Sequence, residues 1–376
     1  MEGKRIDRFR PPHCPWPECS DHRPSKRYRC SQGGSYPKAA GPRRRVPRFS
    51  CPTCGRTFSL QSFACSYYLK RPELLLPVAA GLVAGSAHRQ IARTVGCAPS
   101  TVTRLAARIG RHALLLQALA LLHLESLEEP VNLDHFETFV FSQEDRLGIA
   151  TPVGQNTWFS YGLDPAPHRR GGTRSSRKRA LRRPLPPKDT GSVVRSTQRV
   201  FALLQSLSRG TVEIISDDLP AYTHAARSAS ALGSIRRRIY PNPPRGPGSD
   251  RAVARERDRQ MFAVDLLHKL WRHTQAHNRR ETIAFGRRSN AVMERGFLFI
   301  VWRNFVKKVS ERTGKPITPA MRLGLVPRPL EWSQVFSQRL FPGRIQLPPG
   351  WMKVYRRGWI TPAVGRNIPH ALVQAF

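Results

Sequence analysis

The stretch Thr211 to Tyr222, TVEIISDDLPAY, decides the reading of this chain. Its apolar, β-branched run (Val212, Ile214, Ile215) stops at Asp217 and Asp218, and Pro220 then stands where a helix can begin. This predicts a buried strand that delivers a carboxylate to its C-terminal end, where ligands gather in sheets covered by helices. Asp218 is placed to cap the helix, the commoner fate of an Asp there. Asp217 is then the acid at the strand end.

Working outward, Val193–Leu207 reads as a helix, preceded by three strands in meander order: VNLDHFETFVF (131–141), Leu147–Val153 and Trp158–Leu163. After the central stretch come a helix over 219–230, a basic strand Ser234–Tyr240, and helices Val253–Arg272 and Ser289–Arg312. Three strands, a helix, a strand, a helix, a strand and closing helices match a ribonuclease H-like order. The expectation is an α/β domain with a mixed sheet over 131–312. Residues 164–190 interrupt it; nine Lys/Arg against one acid between 165 and 190 suggest an inserted loop that contacts DNA.

Two further acids have odd surroundings. Strand parity puts Asp134 on the face of Phe136 and Val140, with Glu137 on the other. An ionised carboxylate there is costly unless a positive group meets it; the alternative is an edge-strand Asp facing water. Glu294 lies on a helical stripe with Leu298, Val301 and Phe305, so it points inward; the alternative is a buried salt bridge to Arg237 or Arg295. Glu281 is a rival third acid. Asp134, Asp217 and Glu294 together suit two Mg2+ ions (or Mn2+), hard cations that serve an in-line displacement at phosphorus.

Residues 1–62 lack the apolar periodicity to build a core. Cys14 and Cys19, with Cys51 and Cys54, form two knuckles separated by 31 residues, and their thiolates can close a tetrahedral structural Zn2+ site. RFSCPTCGRTFS (48–59) has the form of a zinc-ribbon hairpin, with scattered thiols as the alternative. Cys30 could replace one ligand; Cys65 and Cys97 read as core or helix cysteines. Residues 72–128 turn helical: Ile91, Ala92 and Val95 share one face, Gly96–Ala98 makes a turn, and Ser100 starts a second helix carrying Val102, Leu105, Ala106 and Ile109 inward. This all-α helix-turn-helix would offer Ser100, Thr101, Thr103, Arg104 and Arg108 to a DNA groove. Leu114–Glu129 reads as a further helix.

The 63 Lys+Arg against 25 Asp+Glu give a formal charge of +38, which calls for a polyanionic partner. Thirteen Lys/Arg against four acids in residues 1–50 put the ribbon on phosphates. The apolar runs around Leu74–Ala84 and Leu114–Leu124 are shorter than a membrane span. MEGKRIDRFRPP has no apolar run after its basic residues, so no secretory signal is expected. Seven cysteines, all before residue 98, fit a reducing compartment. A cytoplasmic, nucleoid-associated, DNA-facing protein is expected.

The two cysteine knuckles, QIARTVGCAPSTVTR, the strand with Asp134, SDDLPAY and NAVMERGFLFIVWRNF, in this order, resemble a DDE transposase of bacterial insertion sequences. The similarity runs from Cys14 to about Pro342. It implies a multidomain chain: zinc ribbon, helix-turn-helix module, ribonuclease H-like catalytic domain and a C-terminal extension (313–376). Ser216-Asp217-Asp218 with Tyr222 matches the family's second acid, with Asp218 in place of its glycine. Asn290-Ala-Val-Met-Glu294 fits the third. The resemblance implies binding of terminal inverted repeats and target DNA by a homo-oligomer, hydrolysis that frees a 3′-OH, and attack by that 3′-OH. Arg279, Arg280, Arg287 and Arg288 would hold the DNA backbone. His273 and His277 have metal-pair spacing but are expected to pack or touch phosphate, and Trp302 and Arg303 to lie in the core and on the surface.

Overall fold

The structure, a computed structural model, describes residues 9–23, 28–37, 45–169, 189–230, 234–243, 250–361 and 364. Most of the 164–190 stretch expected to contact DNA, from 170 to 188, therefore lies outside the described residues. Near the N-terminus β1 (Ser31–Pro37), β2 (Arg45–Ser50) and β3 (Thr57–Ser59) form an antiparallel sheet around a small core of its own, Phe49 and Phe58 with Cys14, Cys19 and Cys51.

Three helices follow: α1 (Leu75–Val83), α2 (His88–Thr94) and α3 (Pro99–Leu122). Gly96 takes a positive φ of 62° between α2 and α3, the left-handed turn that glycine permits. Pro99 occupies the first turn of α3 and Ala98 is its N-cap, so the helix begins before Ser100. The expected break near Leu114 does not occur, because the apolar stripe from Val102 to Leu121 is continuous. By length and composition α3 could cross a membrane, yet 72% of its apolar window is buried inside the protein.

The main sheet has five strands: β4 (Val131–Val140), β5 (Ser142–Gly154), β6 (Asp164–Arg169), β7 (Val212–Ser216) and β8 (Ile235–Ile239), in the order β6-β5-β4-β7-β8. β5 is antiparallel to β4 and β6, while β7 is parallel to β4 and β8, a mixed sheet. The third strand lies after the expected Trp158–Leu163. Trp158 has a φ of 62°, and Ser160 is held away from strand pairing by Asn304, which both donates to its carbonyl and accepts from its N–H at 2.9 Å.

Between and after the strands come α4 (Ser192–Leu207), α5 (Pro220–Ser230), α6 (Arg251–Gln260), α7 (Phe262–Thr274) and α8 (Ser289–Val301). The helix expected over 253–272 is two helices broken at Met261, and α8 ends in a π-helical turn, Trp302–Val306, short of Arg312. Parity assigns the faces. His135 stacks on Tyr222 of α5 at 5.5 Å, and Phe136 points the other way, stacking on Trp271 of α7 at 4.4 Å. Trp271 in turn stacks on Phe299 of α8 at 5.2 Å. α8 packs against α3 so closely that a Cβ at Gly110 would meet the Glu294 carbonyl at 2.3 Å. Helices α1 to α3 therefore share one apolar core with the sheet.

The segment after Thr313 is a strap. Leu330 donates to Phe305 O, Arg339 to Phe63 O, and the Trp351 ring fills the space over Gly162. It ties the ribbon, α3 and the sheet together.

Candidate functional site

Asp134 sits four residues into β4. The parallel register pairs Val131 with Ile214 and Asn132 with Ile215, and carrying it on by two residues sets Asp134 beside Asp217, just past the end of β7. Asp134 Oδ1 accepts from the His135 N–H (2.7 Å) and the Tyr222 hydroxyl (3.4 Å). Burial and the Asp134 charge hold the Tyr222 phenol well above its ordinary range, so it remains a donor. Asp217 Oδ1 accepts from the Leu219 N–H (3.1 Å) and Oδ2 from Asn242 (3.1 Å). Asp217 thus makes the turn into α5 that was expected of Asp218, which is exposed.

The Asp134 carboxyl is pushed up to about 7, first by burial and then by the negative charges of Asp217 and Asp265. Asp265 lies in the first turn of α7, the helix that covers the Asp134 face of the sheet. Its carboxylate is paired with Arg257 of α6, whose charge eases the repulsion on Asp134. From the same helix His268 brings Nδ1 to 3.6 Å from Asp134 Oδ2. Three carboxylates that raise one another's proton affinity in a partly exposed niche are a donor set suited to a hard divalent cation.

Glu294 is placed elsewhere. It does point inward, at 2% exposure, but its Oε1 lies 3.1 Å from both Arg111 Nη1 of α3 and Arg357 Nε of the strap. Burial pushes its carboxyl up, and Arg357 and Arg111 pull against that. The ion-pair alternative describes it, with partners other than Arg237 and Arg295. Asn290 serves the same junction, donating to the Arg357 and Trp359 carbonyls at 3.0 and 2.7 Å. Glu281 is exposed between α7 and α8, and His277 is buried. Sequence reasoning missed Asp265 because it lies in a strongly charged run, ARERDRQMFAVDLLHK. The available signal was the Asp-x-x-His spacing, which puts Asp265 and His268 on one helix face.

The four cysteines come together. Cys14 and Cys54 sulfurs are 3.8 Å apart, as are those of Cys19 and Cys51, and all four lie within 4.8 Å of one another. Four sulfurs about 2.3 Å from one zinc in a tetrahedron are about 3.8 Å apart, so the cluster could hold that ion. Cys30 stands outside the group.

On the helix-turn-helix, Ser100, Thr103 and Arg104 are exposed and Thr101 half-buried. Thr103 Oγ1 lies 3.0 Å from both the Pro99 carbonyl and His88 Nδ1. Arg108 differs from expectation: it is partly buried and donates to the Cys65 (3.1 Å) and Tyr67 (2.5 Å) carbonyls, because α3 packs on that segment. Arg287 is exposed and Arg288, half-buried, is the N-cap of α8. Arg303, expected at the surface, is 2% exposed. No family model matches the chain, and a search of curated proteins gives no significant match.

Proposed function

We propose that this chain is a DDE-type DNA transposase whose acidic set is Asp134, Asp217 and Asp265. The observation that carries the reading is the convergence of three carboxylates from β4, the end of β7 and the first turn of α7, strong enough to lift Asp134 to about 7. The mixed five-stranded sheet, with its second strand antiparallel, supports the ribonuclease H-like assignment. Divalent metal ions held by these acids would activate the attacking oxygen and stabilise the leaving oxygen at phosphorus. Tyr222 fixes one oxygen of Asp134 and Asn242 one of Asp217, which aims the remaining oxygens at the shared niche. Arg257 holds Asp265 in place until a cation competes for it.

The flanking modules fit DNA. Arg104, Thr103 and Ser100 face solvent at the start of α3, as a recognition helix requires, and the formal charge of +38 supplies phosphate attraction. Terminal inverted repeats and target DNA are the partners, bound by a homo-oligomer. Zinc in the cysteine cluster folds the N-terminal sheet, and a cytoplasmic, nucleoid-associated location follows from the reading. The test is metal-dependent cleavage of DNA carrying the repeats that flank the gene: Asp265→Asn should bind it and fail to cut. Unimpaired cutting by that variant would overturn the assignment of the third acid.

A further inference from the structure

We propose that His268 is a metal-directed ligand of the acidic site and gives it a preference for a transition-metal cation such as Mn2+ over Mg2+. The inference rests on the reading of Asp134, Asp217 and Asp265 as a metal site. It begins with a hydroxyl. Thr151 Oγ1, opposite Asp134 in the β4–β5 ladder, donates its one proton to the Asp134 carbonyl at 2.8 Å. The same oxygen lies 2.7 Å from His268 Nε2 and must accept there, so Nε2 carries the ring proton. Nδ1 is then a bare lone pair, and it faces Asp134 Oδ2 at 3.6 Å.

Among the described residues Oδ2 receives no hydrogen bond, the donors to Asp134 both going to Oδ1. Two lone-pair atoms thus face each other with no proton between them. Ligand atoms about 2.2 Å from a common cation, at angles from octahedral to tetrahedral, stand about 3.1 to 3.6 Å apart, which is this gap. The ring cannot easily turn away, since it packs edge-on against Phe136 at 5.2 Å with its other nitrogen held by Thr151. Burial, with the charges of Arg272, His135 and Arg257, keeps the imidazole neutral and able to coordinate. Asp265 and His268, three residues apart on α7, present an acid and an imidazole from one helix face, the pairing that helical metal sites use. An imidazole nitrogen suits Mn2+ and its neighbours better than Mg2+, which holds to oxygen.

The test is Mn2+ binding to the full-length, zinc-loaded protein, followed by electron paramagnetic resonance, with electron spin-echo modulation to detect a coupled nitrogen. Wild type should bind Mn2+ with imidazole nitrogen modulation, and Asp134→Asn should abolish that binding. His268→Asn, whose amide can still donate to Thr151, should lose the modulation and bind Mn2+ about tenfold or more weakly, while Mg2+ competition changes less. Mn2+ bound without nitrogen modulation in the wild type, or modulation retained in His268→Asn, overturns the role of His268 and leaves the acidic site standing. No Mn2+ binding sensitive to Asp134→Asn overturns both this inference and the reading beneath it.

Discussion

Glu294→Gln should cost stability and leave metal binding at the acidic site intact. Gln keeps the volume and one acceptor oxygen, but the charge facing Arg111 and Arg357 at 3.1 Å disappears. Losing one partner of a buried ion pair costs about 3 to 5 kcal/mol. Two features favour the lower end: the Arg357 side chain is 22% exposed, and Glu294 itself is driven towards its neutral form by burial. About 3 kcal/mol in a chain of this size corresponds to a fall in melting temperature of roughly 5 °C. The assay is a thermal melt paired with a Mn2+ titration of the same preparation. A variant that melts with the wild type and has lost Mn2+ binding would refute the reasoning and return Glu294 to the metal site.

Asp134→Asn should stabilise the metal-free protein at pH 7.5, because it removes a carboxylate held at about 7 by burial and its neighbours; the gain is bounded by about 4 kcal/mol, and added Mn2+ should raise the melting temperature of the wild type only. Elemental analysis should find one zinc per chain, and chelation should make residues 9–63 sensitive to protease; finding no zinc would sink the ribbon. Arg104→Ala should lower discrimination between repeat and random DNA with the melt unchanged, whereas Arg108→Ala should lower the melt, since its guanidinium holds two backbone carbonyls. His112, 3% exposed and held down to about 4 by burial, stays neutral in the fold and protonates when unfolded. Its contribution is full above about pH 6.5 and is lost as pH falls towards 4, so His112→Gln should flatten that acid slope; an unchanged slope would contradict it.

What could be read from the sequence was local. Strand parity around Asp134 and the abrupt end of the run at Asp217 depend on neighbours in the chain, and the register of β4 and β7 then sets the two acids side by side. The four cysteines declared themselves by spacing. Glu294 misled because an acid on an apolar helical stripe does face inward, but its partner Arg111 lies 183 residues away in the sequence. Asp265 was hidden by its charged surroundings and by Met261, which splits an apparently single helix. The Trp158–Leu163 segment has strand composition but is captured by Asn304 from the π-helical turn. Each miss is a tertiary contact overriding a local pattern.

The central claim is tested most directly by Mg2+- or Mn2+-dependent cleavage and joining of DNA bearing the flanking inverted repeats, with wild type, Asp134→Asn, Asp217→Asn, Asp265→Asn and Glu294→Gln. The account predicts that the wild type frees a 3′ end and joins it, that the three Asp variants bind the ends and do neither, and that Glu294→Gln still cuts below its melting temperature. A wild type that binds the ends and never cuts would contradict it.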